Sequence, residues 1–193
     1  MFIELTDHLR CPADHDEAYL VLLPDRSVGR DVVAGHLGCP VCGWNTSFTQ
    51  GQVDFGGGTP ASGDTALSPE AVHAFLGLGG PGGFVALVGA ATGLIPDLVP
   101  VLRGIHLVAI NPAFQVGEGF PGSVLRSAIL PLKRGSMRGV VLGADVASDA
   151  GWVRQAARAT LPGLRICGEG PAPDLAEVEV LASSARAWVA KNK

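Results

Sequence analysis

The sequence has little charge and no excess of basic residues. Charged residues make up 17% of its 193 positions, and 14 lysines and arginines stand against 18 aspartates and glutamates, a formal net charge of −4. Proteins that hold nucleic acid through its phosphates need a cationic face. We therefore expect no nucleic acid as a main ligand, and we interpret the tightest basic cluster, Lys133, Arg134 and Arg138, as a solvated turn between strands.

Long apolar runs are also missing. The most apolar stretch, 84–102, is interrupted by Pro96, Asp97 and Pro100, so it is interpreted as a buried strand and turn and not as a membrane span. The first twelve residues include acidic side chains where a secretion signal needs a basic end and an apolar run. Without export, the four cysteines are expected to be thiols or metal ligands. These absences favour a cytoplasmic protein.

Familiar catalytic motifs do not occur either. The chain contains no GxSxG, P-loop or HExxH sequence, and its five histidines form no recognisable catalytic set. The glycine-rich segment 77–83 precedes a predicted strand, whereas the glycine motif of a dinucleotide site must follow one. No catalytic residue is therefore assigned.

What is present indicates a folded globular protein, because apolar residues make up 47% of the chain. Shifts in composition predict a small module at 1–55, a glycine-rich linker or long loop at 56–66, and a larger domain at 67–193. In the first part, β-type runs at 18–23 and 31–39 are separated by turn-forming residues. They predict a hairpin.

The larger part alternates between strand-like and helical runs. Ser68, Pro69 and Glu70 predict a helix over 69–78, and FVALVGA at 84–90 predicts a buried strand. Four further strands are predicted in IHLVAINP, SVLRSAILPL, MRGVVLGADV and GLRICGEG, and two further helices in DAGWVRQAARATL and SSARAWVAKNK. Apolar strands interleaved with helices are typical of an α/β fold with a mostly parallel sheet covered on both faces.

The cysteines near the N-terminus have the spacing of a metal site. Cys39 and Cys42 form a CxxC knuckle whose two thiolates can face one tetrahedral ion, and Cys11 opens the segment that this knuckle closes. For the fourth ligand we prefer His15 to Asp14, because imidazole is the better ligand in a structural zinc site. Two alternatives remain at this stage: reduced thiols without a metal, and a redox-active CxxC pair.

The first 55 residues resemble a known family. LTDHLRCP and GHLGCPVCGWNTSFTQGQVDF are similar to the short zinc ribbons that include the activator subunit of tRNA and protein methyltransferases. The resemblance implies a small β module that binds zinc and contacts a protein partner, with the strand at 51–55 closing the module. Two departures from the family are a longer insert between the knuckles and a first knuckle with a single cysteine.

The rest of the chain resembles class I methyltransferases that use S-adenosylmethionine. The resemblance is carried by VALVGAATGLIPDL at 85–98 and by ILPLKRGSMRGVVL at 129–142. It implies a Rossmann-like domain whose cofactor lies against Gly89, Ala91, Gly93 and Asn111.

The family's carboxylates are missing from this pattern. Val88 and Asn111 stand where the resemblance places acidic residues for the cofactor's ribose, and Arg138 replaces an aspartate before the fourth strand. Residues 111–122 contain prolines and glycines and predict no helix. Asp145 is the one polar candidate after the fourth strand. Our leading hypothesis is therefore an accessory or scaffold protein with a degenerate cofactor site, and the competing hypothesis is an active methyltransferase with an unusual pocket.

Overall fold

The computed structural model describes residues 1–113, 116–117 and 119–193. Within them lie eleven strands, three α-helices and two 3-10 helices, at 3–8 and 89–94. The strands are β1 (Val21–Val28), β2 (Asp31–Gly38), β3 (Asn45–Phe48), β4 (Gln52–Asp54), β5 (Phe84–Val88), β6 (His106–Ile110), β7 (Ser123–Arg126), β8 (Met137–Leu142), β9 (Thr160–Glu169), β10 (Val178–Ser183) and β11 (Ala187–Asn192). The helices are α1 (Pro69–Leu76), α2 (Ile95–Leu98) and α3 (Ala150–Ala159).

Eight strands form one sheet in the order β10-β11-β9-β8-β5-β6-β7-β4. All neighbours from β9 to β4 run parallel, and only β11 is antiparallel to both of its neighbours. Counted from β5, the first five strands have the order 3-2-1-4-5 of a doubly wound sheet. The predicted Rossmann-like, mostly parallel α/β fold is confirmed.

Both faces of this sheet are buried, as the near-continuous apolar strands predict. Successive residues of β5 point to opposite faces of the sheet, and each face is covered by its own core. Val88 faces a core that includes Leu5, Leu9 and residues of α3. Leu87 faces a second core that includes residues of α1 and α2. The N-terminal module and α3 therefore cover one face of the sheet, and α1 and α2 cover the other.

Two helices begin at side chains that cap their N-termini, and the sequence predicts the first of these caps, Ser68. The Ser68 hydroxyl accepts a hydrogen bond from the Ala71 N–H at 3.2 Å, which starts α1. The Asp149 carboxylate accepts from the N–H groups of Gly151 and Trp152, which starts α3. These contacts satisfy N–H groups that have no partner inside the helix.

The N-terminal module has its own three-stranded antiparallel sheet, in the order β1-β2-β3. The predicted hairpin is present, but β1 continues through most of the predicted turn and the chain reverses only at 29–30. The strand expected to close this module, β4, does not join the small sheet. It pairs in parallel with β7 at the edge of the large sheet. The module is thus attached to the larger part by strand addition as well as by a shared core.

The predicted C-terminal helix is wrong. Residues 187–192 form β11, which pairs with β9 and β10. Trp188 and Val189 are 1% and 7% exposed and enter opposite cores, so successive residues are buried on opposite faces of the sheet. A helix could not bury both, and tertiary packing outweighs the helical composition. The strand β10 was not predicted, because its side chains after Val178 are exposed.

The remaining expectations concern loops. Residues 56–66 form no helix or strand, as predicted, and the described residues of 111–122 form no helix, with 114, 115 and 118 lying outside the described residues. In the part of the chain that the structure describes, none of the helices combines the length and apolar character needed to span a bilayer.

Candidate functional site

Two places in the structure gather the residues singled out by the sequence. The first is a cluster of Cys11, His15, Cys39 and Cys42, whose ligand atoms all lie within 4.8 Å of one another. The Cys11 and Cys42 sulfurs are 3.6 Å apart, and the Cys39 sulfur is 3.4 Å from His15 Nε2. Tetrahedral coordination at ordinary Zn–S and Zn–N lengths requires ligand separations of about 3.8 Å and about 3.6 Å. The four side chains therefore fit a tetrahedral metal ion.

Backbone hydrogen bonds and a glycine with a positive φ hold the CxxC turn at 39–44 in its conformation. Cys39 directly follows β2. Its N–H donates to the Trp44 carbonyl at 2.7 Å, and the Gly43 N–H donates to the Cys39 carbonyl at 3.0 Å. Gly43 has φ +75°, which the turn requires and which a residue with a side chain rarely adopts. The Trp44 N–H then points at the Cys42 sulfur at 3.5 Å. This turn is followed by β3 and not by a helix, so the helix N-terminus that activates a redox CxxC pair is missing here.

The histidine ligand is oriented by a second hydrogen bond. His15 Nδ1 lies 2.6 Å from the Asp16 carbonyl oxygen. Because that oxygen can only accept, Nδ1 donates to it and Nε2 is the nitrogen that faces the cluster. Histidine ligands of metal sites are oriented in this way by a hydrogen bond from the other ring nitrogen. Asp14, the alternative ligand, does not belong to the cluster. The structure thus brings together the set with His15.

The thiols do not share one protonation state. Burial raises the pKa of the Cys11 thiol to about 12. Burial also acts to raise the pKa of Cys39, but N–H groups of Cys42 and Val41 donate to its sulfur and bring the pKa down to about 6. One thiolate at neutral pH gives the cluster a negative charge that favours a cation, and coordination then deprotonates the other thiols.

The second place is the carboxyl edge of the large sheet, where ligands of doubly wound folds bind. A cleft of about 350 Å³ is lined by Gly57, Thr59, Pro60, Ser62, Gly89, Asn111, Ser127, Ala128, Asp145, Val146 and Trp152. A smaller one, of about 200 Å³, is lined by Gly63, Asp64, Thr65, Ala90, Thr92, Gly93, Leu94 and Ala113. Of the predicted cofactor residues, Gly89 and Asn111 line the larger cleft and Gly93 the smaller. Ala91 is fully buried in the core beneath them.

The predicted loop 56–66 crosses this edge, and we call it the strap. The Gly56 carbonyl accepts from the Ala128 N–H and the Ala61 N–H donates to the Asn111 carbonyl, each at 3.1 Å. At the far end, the Thr65 hydroxyl and the Ala66 N–H donate to the buried Glu169 carboxylate at 2.5 Å and 2.9 Å. Sequence reasoning missed this placement, because the composition of a loop does not indicate what it packs against.

Asn111 is the centre of the contact between strap and sheet. Its side-chain amide donates to the Ser127 carbonyl at 2.8 Å and accepts from the Ser127 N–H at 2.9 Å. The Gly58 backbone lies directly on this pair. A Cβ atom added to Gly58 would come 2.4 Å from the Ser127 nitrogen and 2.6 Å from Asn111 Oδ1. The strap therefore fills the space at the ends of β6 and β7.

The glycine loop after β5 packs against Asp145. The Ala90 N–H donates to Asp145 Oδ1 at 3.0 Å. Gly89 has φ +65°, and a Cβ atom added there would lie 2.3 Å from Asp145 Oδ2. Val88, where the resemblance places an acidic residue, is fully buried in the core. Only Asp145, among the polar candidates from the sequence, presents a carboxylate to the larger cleft.

No family model matches the chain, and no curated protein matches it. Among solved structures, the chain is similar to the antibiotic-resistance methyltransferase Kmr, at 12% identity and TM-score 0.44 over 70% of this chain and 97% of that one. It is similar to the tRNA (m1A58) methyltransferase TrmI from Aquifex aeolicus, at 9% identity and TM-score 0.44 over 70% and 73%. It is similar to the [4+2]-cyclase SpnF, at 16% identity and TM-score 0.46 over 65% and 64%. At these values the fold assignment rests on strand order and direction.

Replacing His15 by Ala should abolish stoichiometric metal binding, because it removes one of four ligands that a closed site needs. Elemental analysis of the purified protein measures this. His36→Ala is the matched control, since His36 is exposed, pairs with Asp25 at 3.2 Å and lies outside the cluster. Retention of the metal by His15→Ala together with its loss from Asp14→Ala would show that the ligand is misassigned.

Gly89→Ala should destabilise the protein by about 1–3 kcal/mol. The Cβ atom of the new alanine would collide with the Asp145 carboxylate, and an alanine is strained at the positive φ of this position. Urea denaturation followed by circular dichroism measures the free energy of unfolding. The matched control is Gly93→Ala, where an added Cβ has no atom within 4 Å and the expected change is within about 0.5 kcal/mol. Equal stability of the two variants would contradict the assigned contact.

Proposed function

We propose that this protein is a methyltransferase-fold accessory or scaffold protein, stabilised by zinc and acting through protein contacts, whose cofactor site is degenerate. The observation that carries the proposal is the closed contact of Gly58, Asn111 and Ser127 at the ends of β6 and β7. A nucleoside cofactor held at this edge would have to displace the strap from both strands.

The resemblance implies a site for S-adenosylmethionine, but the residues present do not fit that cofactor. Both polar groups of the Asn111 amide are occupied by Ser127, and Asn111 is 5% exposed. Freeing a buried donor or acceptor costs about 1–3 kcal/mol. Even when free, a neutral amide makes weaker hydrogen bonds to ribose hydroxyls than a carboxylate does. Val88 offers no polar group at the neighbouring position.

The remaining carboxylates are committed to other contacts or lie elsewhere. Glu169, at the end of β9, holds the strap through Thr65 and Ala66. Asp145, at the end of β8, accepts a hydrogen bond from the glycine loop. Neither of these carboxylates follows β5 or β6 in the chain. No methyl-transfer step is therefore assigned to this site.

The metal in the N-terminal cluster is proposed to be zinc. Three cysteines and one histidine in closed tetrahedral reach are typical of structural zinc sites, and thiolate ligands disfavour magnesium and calcium. The ion would supply folding free energy to the segment 11–42, which has few buried apolar side chains of its own.

The protein contact is proposed to involve β1, the edge strand of the small sheet. Hydrogen bonds of β1 run to β2 on one side, and among the described residues no strand pairs with its other edge. Tyr19, Val21 and Leu23 are 72%, 49% and 63% exposed. An exposed edge with apolar side chains is the surface to which an extended segment of another protein adds as a strand. The partner we propose is such a segment.

The competing function is an active methyltransferase in which the strap moves aside. The position of the two clefts at the carboxyl edge of a doubly wound sheet favours it. Calorimetry with S-adenosylmethionine separates the two functions. We expect no binding at about millimolar cofactor, because displacing the strap breaks several hydrogen bonds. A dissociation constant of about micromolar would overturn the proposal and favour the enzyme.

Leu23→Lys should remove a partner that co-purifies with the wild-type protein from cells that encode it, because a charged side chain on an edge strand disfavours strand addition. Quantitative mass spectrometry of the purified complex measures the loss. The matched control is Val99→Lys, which changes an exposed valine far along the chain from β1 and should leave the complex intact. A complex unaffected by Leu23→Lys would contradict the assigned surface.

A further inference from the structure

The residues that line the larger cleft at the carboxyl edge favour a positively charged ligand. The volume of this cleft, about 350 Å³, is that of a site for a small molecule. Among the described residues, Asp145 is the only charged residue that lines it. The smaller cleft is lined, in the same described part of the chain, by one charged residue, Asp64. A phosphate or carboxylate ligand would meet no cation among these lining residues.

The Asp145 carboxylate is held in place but not neutralised. Oδ1 accepts the Ala90 N–H at 3.0 Å, and the carboxylate rests on the Cα of Gly89. Among the described residues, Oδ2 has no hydrogen bond and no lysine, arginine or histidine forms an ion pair with Asp145. A fixed negative charge in a cleft is available to a ligand cation.

Trp152 provides an aromatic surface in the same cleft. Its ring makes no stacking or cation–π contact within the described part of the chain, in contrast to the rings of Phe2 and Tyr19, over which Arg30 and Lys133 lie. Trp is the aromatic residue that binds cations best. Trp152 is half-buried and packs against the core. A carboxylate and an indole without a ring or cation partner among the described residues therefore line one cleft.

The charged side chains of α3 do not oppose a cation near Trp152. Trp152 lies in the first turn of α3, at the positive end of the helix dipole. The carboxylate of Asp149, which caps this end, offsets that positive charge. The arginines of α3 have other partners. Arg154 pairs with Glu177, and Arg158 pairs with Glu17.

We propose that this cleft binds a small organic cation of the substituted-ammonium class, with its charged group between the Asp145 carboxylate and the Trp152 ring. Thr59 and Ser62, on the strap, also line the cleft and offer hydroxyl groups to a polar group on the ligand. The strap thus forms a wall of this site while it fills the neighbouring space at the ends of β6 and β7. This inference does not depend on an accessory role for the protein.

The test is calorimetric titration of the full chain with choline, and with its neutral carbon analogue 3,3-dimethyl-1-butanol. We expect choline to bind and the analogue to bind at least about tenfold more weakly, because only the cation meets the carboxylate and the ring. Asp145→Asn, which keeps the acceptor for the Ala90 N–H, should weaken choline binding about tenfold or more. Trp152→Leu should weaken it roughly tenfold, whereas Trp152→Phe should retain most of it.

Asp97→Asn is the control for a general loss of negative charge, since Asp97 lies on α2 and lines neither cleft. Thermal melting verifies that each variant is folded. The proposal is overturned if choline fails to bind at about 10 mM, if the neutral analogue binds equally well, or if Asp145→Asn binds like the wild type. Titration with S-adenosylmethionine in parallel addresses the other proposal. Binding of choline without binding of S-adenosylmethionine supports both, and binding of neither overturns only this one.

Discussion

The parallel pairing of β4 with β7 determines where most of the candidate site lies. Because β4 runs in the same direction as β7, the chain leaves it at the carboxyl edge of the large sheet, beside the ends of β6 and β7. The next residues then have to cross that edge to reach α1, which packs on β9 near the other side. An antiparallel β4 would have delivered the chain to the opposite edge, and the clefts would be open. The strap is therefore a consequence of strand direction.

The chemistry of the strap follows from this path. A segment that lies on the ends of buried strands must leave their backbone groups paired, since an unpaired buried N–H or C=O costs about 1–3 kcal/mol. Ala61 satisfies the carbonyl of Asn111, and Gly56 satisfies the N–H of Ala128. Gly58 approaches so closely that any side chain would collide with Ser127. Gly57 and Gly58 thus serve a tight contact, although the composition of this segment resembles that of a flexible linker.

The sequence predicts those features that depend on local chemistry. The helix cap at Ser68 and the apolar strands β5, β6 and β8 are recognisable from a few adjacent residues. The set with Cys11 and His15 was chosen from ligand preference and spacing, and the structure places those side chains together. Features that depend on distant residues were not predictable. The strand β11 owes its conformation to pairing with β9, and Glu169 acquires its role from Thr65, 104 residues away.

The metal cluster and the clefts are coupled through the small sheet. A metal ion bound by Cys11, Cys39 and Cys42 would tie the segment after the first 3-10 helix to the end of β2. The strand β2 pairs with β3, whose chain continues through a short turn into β4. The position of β4 on β7 in turn determines where the strap begins. Loosening the cysteine cluster would therefore free β3 and β4 more than β8, which pairs with β5 and β9, or α3, which packs on β8 and β9. If a metal ion binds the cluster, the wall of the cleft formed by the strap is the part that would depend on it, whereas Asp145 and Trp152 would keep their positions.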